Sequence, residues 1–195
     1  MVERQPGGKT ESKPRRGYFA IGVEGLSKPM NAGNLFRTAH AFGASFLFTI
    51  AARYSVRRAR SDTSRAPAHL PLYEYPDVAS LLLPDDCRLI GVELSDEAEA
   101  LPSFHHPRRA AYVLGPEKGA LSADLAARCD QVVRIPTAFS LNLATAGAIV
   151  MYDRLLALGR FPRRPISALG RPEPLPAHVH GGQRIRRRGK APHGS

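Results

Sequence analysis

The 195-residue chain has no tryptophan and only two cysteines, Cys87 and Cys129. Two thiols 42 positions apart, neither in a CxxC pair, make no disulfide framework, so they read as buried thiols in a reducing compartment. No apolar run approaches the ~20 residues that span a bilayer, and the first residues are polar and basic, without the apolar stretch of a secretory signal. These features predict a cytoplasmic protein with no membrane partner. Heptads and internal repeats are missing, which excludes a coiled coil or a solenoid. No GxGxxG follows the first apolar segment and no GxxxxGK[ST] occurs anywhere, so neither a dinucleotide fingerprint nor a P-loop is supported. The histidine pairs His105-His106 and His178 with His180 lack companion ligands at metal spacing and read as polar loop and tail; no metal is expected.

What the chain does have is positive charge. It carries 28 Lys and Arg against 17 Asp and Glu, a formal charge of +11, which points to a polyanionic partner. The excess is not spread evenly. Residues 1–17 hold five bases and two acids, residues 160–195 hold nine bases and one acid, and the stretch between has 14 of each. The first 16 residues contain almost nothing apolar and read as a disordered basic arm. From 161 to 195 proline recurs and the chain ends in an arginine-rich run, a basic tail. A single domain over 17–160 remains, with 43% of the whole chain hydrophobic and enough length for a core.

Within that domain short apolar runs alternate with amphipathic stretches. Strands are predicted at Tyr18–Val23, Ser45–Ala51, Leu89–Glu93, Ala111–Leu114 and Gln131–Ile135. Helices are predicted at Asn34–Phe42 (ending at Gly43), from an Asp77 cap to Leu83, from a Ser122 cap to Arg128, and at Leu143–Leu158. Strand followed by helix in succession argues for an α/β domain with a mainly parallel sheet flanked by helices, whose ligands sit beyond the carboxyl ends of the strands. Three loops rich in Gly, Pro, Asn and Ser fall at such ends: 24–37, 115–119 and 136–142.

In the first of these, Asn31 could cap a helix starting near Asn34 while Arg37 projects from its first turn. Arg37 is then either a fixed cationic fork for phosphate or a member of an ordinary salt bridge, with the asparagines as caps. Arg53, Arg57, Arg58, Arg60 and Arg65 face one acid, Asp62, in a loop after the second strand. This cluster is either an RNA-guiding surface or a solvated loop.

Together, Asn31 with Gly33-Asn34 and Arg37, Leu114-Gly115-Pro116-Glu117 with Leu121, and Ile135-Pro136 with Ser140-Leu141-Asn142 and the small-residue run 144–148 resemble the SpoU (TrmH-like) branch of the SPOUT RNA methyltransferases. Order and spacing agree over about 18–159. The resemblance implies a SPOUT-type α/β fold with a C-terminal trefoil knot, S-adenosylmethionine as cofactor, and a homodimer through the 143–158 helix. Carried over by position, Val92, Glu93, Leu114, Gly115, Ile135, Ser140 and Leu143 would bind the cofactor. Arg37 would orient the target phosphate and ribose 2′-hydroxyl, with Asn31, Glu117, Ser140 and Asn142 holding nucleotide and loops. Arg37, Arg53, Arg57, Arg58 and Arg60 would meet RNA, with tRNA favoured and rRNA an alternative. A fold that has kept RNA binding and lost catalysis is a further alternative, as is a methyltransferase of protein or small molecule, for which basic tails would be unnecessary. One position departs from the family pattern: the glycine usual three residues after the motif glutamate is Ala120, with Gly119 one earlier, so a left-handed backbone at 120 would be strained.

Overall fold

A computed structural model describes residues 17–55, 66–159, 161–162 and 164–172. The chain divides into two units, 1–159 and 160–195. In the second, the described residues form no helix or strand; Gly170 N–H donates to Ser167 O at 3.1 Å, closing a turn that leaves Ile166 and Leu169 exposed. The basic arm, most of the tail and Arg57, Arg58, Arg60 and Arg65 lie outside the described residues.

The first unit is built on seven strands, β1 Tyr18–Glu24, β2 Phe46–Ile50, β3 Leu72–Tyr75, β4 Arg88–Val92, β5 Glu99–Ala100, β6 Arg109–Leu114 and β7 Gln131–Arg134. They lie in the order β3-β2-β1-β6-β4-β7-β5, and every pairing is parallel. The helices are α1 Pro29–Phe42, the short α2 Ala66–His69, α3 Ala123–Arg128 and α4 Leu143–Leu158. None of the described helices is long and apolar enough to cross a membrane.

Side chains alternate across the sheet as a two-residue period requires. Phe19, Ile21 and Val23 of β1 join Ile90, Tyr112 and Leu114 under α1 and α4, which contribute Leu35, Phe36, Val150 and Met151. The opposite face carries Ala20, Phe48, Ile50, Ala111 and Val113 against Leu81 from the loop before β4 and Leu125 of α3. Gly22 is required on that second face, because a Cβ there would stand 2.5 Å from the Phe48 ring. Cys87 and Cys129 are free thiols at the edge of this second cluster, half-buried rather than fully so, and burial pushes both thiols up, Cys129 to about 11.

Several boundaries differ from the sequence reading, each for a local reason. Helix α1 starts five residues before Asn34, with Pro29 at the first helical position, where its missing N–H costs nothing. Asn31 therefore lies inside the helix and does not cap it. No helix follows Asp77: its carboxylate accepts from Ser80 N–H at 2.8 Å, Ser80 Oγ returns to Asp77 O at 2.9 Å, and the chain makes a turn before Pro84. His106, read from sequence as polar loop, is buried, its Nδ1 2.6 Å from Tyr112 Oη and its Nε2 2.9 Å from Asp153 Oδ2. Strands β3 and β5, four and two residues long, escaped the pattern altogether.

Candidate active site

The chain reverses direction across the sheet between β1 and β6, and the crevice beyond the carboxyl ends of the strands near such a switch is where open α/β sheets bind ligands. Here a cleft of about 340 Å³ opens at the ends of β4, β6 and β7 and the start of α1. That volume falls within the ~300–1,000 Å³ usual for small-molecule sites.

Three segments distant in sequence close around it through one chain of hydrogen bonds. Lys28 is the N-cap of α1 but offers no side-chain cap. Glu117 takes that role: its carboxylate accepts from Ser27 N–H (3.1 Å), Ser27 Oγ (2.8 Å), Lys28 N–H (2.8 Å) and Asn31 Nδ2 (3.2 Å). A carboxylate at the positive end of a helix dipole is well placed. Its burial works to raise the carboxyl, and the hydrogen bonds from Ser27, Lys28 and Asn31 overcome it, leaving Glu117 below its ordinary value. Asn31, 8% exposed, accepts from Asn142 Nδ2 at 3.1 Å, and Asn142 Oδ1 accepts from Ala144 N–H (2.9 Å) and Thr145 N–H (3.4 Å), capping α4. Glu117, Asn31 and Asn142 thus tie the three loops into one wall.

Two further carboxylates hold the 115–122 loop. Glu24, 8% exposed at the end of β1, accepts from Ser122 N–H (2.8 Å) and Oγ (2.5 Å), while Ser122 Oγ accepts from Leu125 N–H and caps α3. Glu93 accepts from Leu121 N–H at 2.9 Å and from its neighbour Leu94 N–H at 3.0 Å. The loop folds so closely that a Cβ on Gly115 would stand 3.1 Å from Leu121 N and 3.2 Å from Ala120 C, both backbone atoms. The positive φ of this loop falls on Gly119 (114°), not on Ala120, so the shifted glycine absorbs the turn without strain.

Val92, Glu93, Leu114, Gly115, Ile135, Ser140 and Leu143 all line the cleft, as do Asn31, Glu117 and Asn142. Arg37 does not. It stands exposed in the third turn of α1, with no side-chain hydrogen bond or ion pair among the described residues. Arg53 is exposed beyond β2, its backbone N–H donating to Leu26 O at 3.0 Å. Sequence reasoning passed over Glu24, Lys28, Leu94 and Lys118. A lone acid closing an apolar strand was the available signal for Glu24; nothing local distinguished the two lysines, which reach the cleft only through the fold. Among the described residues no group of three or more His, Cys, Asp or Glu could hold a metal ion.

The family model described as the SpoU rRNA Methylase family matches residues 18–152, the whole of the sheet and most of α4. The chain belongs to the SpoU rRNA methylase family. Within it, the chain is 29% identical over 137 residues to the mouse tRNA (guanosine(18)-2′-O)-methyltransferase TARBP1, an alignment of 66% of this chain and only 9% of that protein. The SpoU methyltransferase AviRb from Streptomyces viridochromogenes superposes in two structures, the second in complex with the cofactor AdoMet, at TM-scores of 0.63 and 0.64 with 22% identity, over 73% of this chain and 60–61% of AviRb. A structure reported as giving structural insights into the 2-OH methylation of C/U34 on tRNA superposes at 0.61 with 28% identity, over 76% of this chain and 94% of that one. This SpoU chain therefore spans a small part of the mouse relative and about three fifths of AviRb.

Proposed function

We propose that this SpoU chain is an S-adenosylmethionine-dependent methyltransferase acting on a ribose 2′-hydroxyl of RNA, with tRNA the favoured substrate. The observation that carries the reading is the cleft itself, in which three loops from one sheet edge are locked together by Glu117, Asn31 and Asn142. The two tRNA-directed relatives support the choice of tRNA over rRNA.

The residues present fit the cofactor. The cleft has the volume for it, Gly115 lets backbone approach a flat ring closely, and Val92, Leu114, Ile135 and Leu143 offer apolar walls beside the polar Glu93 and Ser140. When bound, the cofactor supplies an electrophilic methyl group on a sulfonium. The protein's task is to align the hydroxyl and exclude competing geometries, which fixed loops accomplish. Among the described residues no histidine or cysteine lines the cleft, so none of them offers an imidazole base or a thiol nucleophile there. In this reading Arg37, outside the cleft, meets the RNA: it orients the target phosphate and hydroxyl, with Arg53, Arg57, Arg58, Arg60 and the basic arm and tail gripping other phosphates. A trefoil threading of the 115–142 region, a cytoplasmic location, and a homodimer through α4 belong to the same proposal. For the dimer, α4 offers Ile149, Tyr152 and Leu156, exposed apolar side chains spaced three and four residues apart.

Ribose-methylation maps of tRNA and rRNA from cells with and without the gene should differ at one or a few tRNA positions; a loss confined to rRNA would redirect the substrate. Arg37→Ala should abolish methyl transfer and leave cofactor affinity nearly intact, by activity assay and calorimetry. Turnover at the wild-type rate in that variant would remove Arg37 from the mechanism. Wild-type protein that takes up no cofactor at millimolar concentration would instead favour a fold retained for RNA binding alone.

A further inference from the structure

The rim of the cleft carries a second, distinct chemistry. Phe139 is 75% exposed and Met30 72% exposed, an unusual position for side chains of that size beside a polar cleft. Neither is displayed on a loose loop. Phe139 sits on a turn braced by Thr137, whose Oγ1 donates to Phe139 O at 2.9 Å, and its neighbour Ser140 lines the cleft. Met30 lies in the first turn of α1, immediately before the buried Asn31. Lys28 and Lys118 are both exposed, both line the cleft, and neither is in an ion pair among the described residues. The carboxylates that line the cleft are already engaged: Glu117 by Ser27, Lys28 N–H and Asn31, and Glu93 by Leu121 and Leu94 N–H.

We infer that this rim is a nucleotide subsite, in which Phe139, with Met30 beside the cleft, stacks on a base adjoining the reacting ribose while Lys28 and Lys118 hold the flanking phosphates. A π-face next to point cations is the combination that single-stranded RNA satisfies, since every base has a face and every linkage a charge. An apolar peptide would leave the lysines without a role. The inference rests on the RNA reading above and extends it to a recognition surface outside the cofactor walls.

The test uses full-length protein, bulk tRNA from cells lacking the gene, and labelled cofactor. Phe139→Ala should weaken tRNA affinity on the order of tenfold and raise KM, with cofactor affinity and sedimentation unchanged. Phe139→Tyr or Phe139→Trp should restore it, because stacking tolerates any aromatic ring. Lys28→Ala with Lys118→Ala should lower the slope of log Kd against log salt by roughly two, while Phe139→Ala leaves that slope alone. Wild-type tRNA affinity in Phe139→Ala overturns the subsite, as does a loss accompanied by a changed oligomeric state. Weakened cofactor binding in the lysine pair would reassign those lysines to the cofactor. If wild-type protein neither binds nor methylates tRNA, the RNA reading itself falls; if it does both and Phe139→Ala matches it, only the subsite falls.

Discussion

The two ends of the sheet are both polar, and they are built on opposite principles. At the carboxyl end, side chains bond to one another around a space, so that Glu117, Asn31 and Asn142 wall an open cleft. At the amino end Arg154 and His106 close a buried network. Arg154, 6% exposed on α4, donates from Nη1 to Pro107 O (2.6 Å) and Tyr112 Oη (3.2 Å), and from Nη2 to Arg108 O (2.9 Å) and Tyr18 O (3.2 Å). Its guanidinium lies over the rings of Phe19 and Tyr112. Tyr112 Oη accepts from Arg154 and donates to His106 Nδ1, which leaves the His106 Nε2–H for Asp153; the network thus assigns a neutral imidazole. The same helix serves both ends: Leu143 lines the cleft, and Arg154, eleven residues and roughly 16 Å further along, pins the starts of β1 and β6. A saturated network fixes the scaffold, and an unsaturated one is left free to bind.

If the amino end is purely a clamp, breaking it should cost stability and nothing else. Arg154→Met keeps most of the side-chain volume but strips the carbonyls of residues 18, 107 and 108 of their buried donor. A loss of about 3 kcal/mol or more is expected, a large share of the total for a domain of this size. Denaturant unfolding measures it. Cofactor affinity, read by calorimetry well below the unfolding transition, should stay near wild type. A folded Arg154→Met protein with ordinary stability would show that the network is ornamental, and one with lost cofactor affinity would show that the two ends are coupled through α4.

Asn142 is where the contrast is hardest to maintain, because one side chain caps α4 and also braces the cleft. Asn142→Ala removes the acceptor for Ala144 and Thr145 N–H and the donor to Asn31. The cap alone is worth about 1 kcal/mol. Stability should fall by roughly that amount, and cofactor affinity should fall with it, unlike in Arg154→Met. Equal losses of affinity in the two variants would erase the distinction.

The features legible in the sequence were those whose signals are local. Helix α4 runs over Leu143–Leu158 as its apolar pattern predicts, and Ser122 caps α3, because cap and periodicity act within a turn. The alternation of strands and helices gave the parallel sheet for the same reason. Where two local signals compete, the stronger decides: Asn31 has the residue type of a cap, but Pro29 sets the helix start and a carboxylate from residue 117 supplies the cap. The amino-end network was invisible, since Arg154 and His106 are 48 positions apart and only the fold makes His106 a buried group. At the cleft the walls were legible through motif spacing, whereas Lys28, Lys118 and Phe139 became notable only once their exposure and place on the rim were known.

The two ends should also answer to acid in different windows. Burial holds His106 below the ordinary imidazole value of 6.5, with Arg154 and His105 adding to that and Asp153 working against it. The unfolded chain then binds a proton more readily than the folded one between the depressed value and 6.5, so stability rises with pH across that window and is lost as pH falls. The slope from this one group is at most about 1.4 kcal/mol per pH unit. Glu117 is depressed below 4.5, so its contribution is present above that pH and is lost as pH falls through the lowered value. Urea midpoints measured from pH 7 to about 3 should therefore decline first through His106 and then, below 4.5, through Glu117. His106→Gln should flatten the upper part of the curve while leaving cofactor affinity at neutral pH unchanged, and Glu117→Gln should flatten only the most acidic part while weakening the cleft. A single variant that removes both slopes would mean that the ends titrate as one unit, and the division between clamp and cleft would fail.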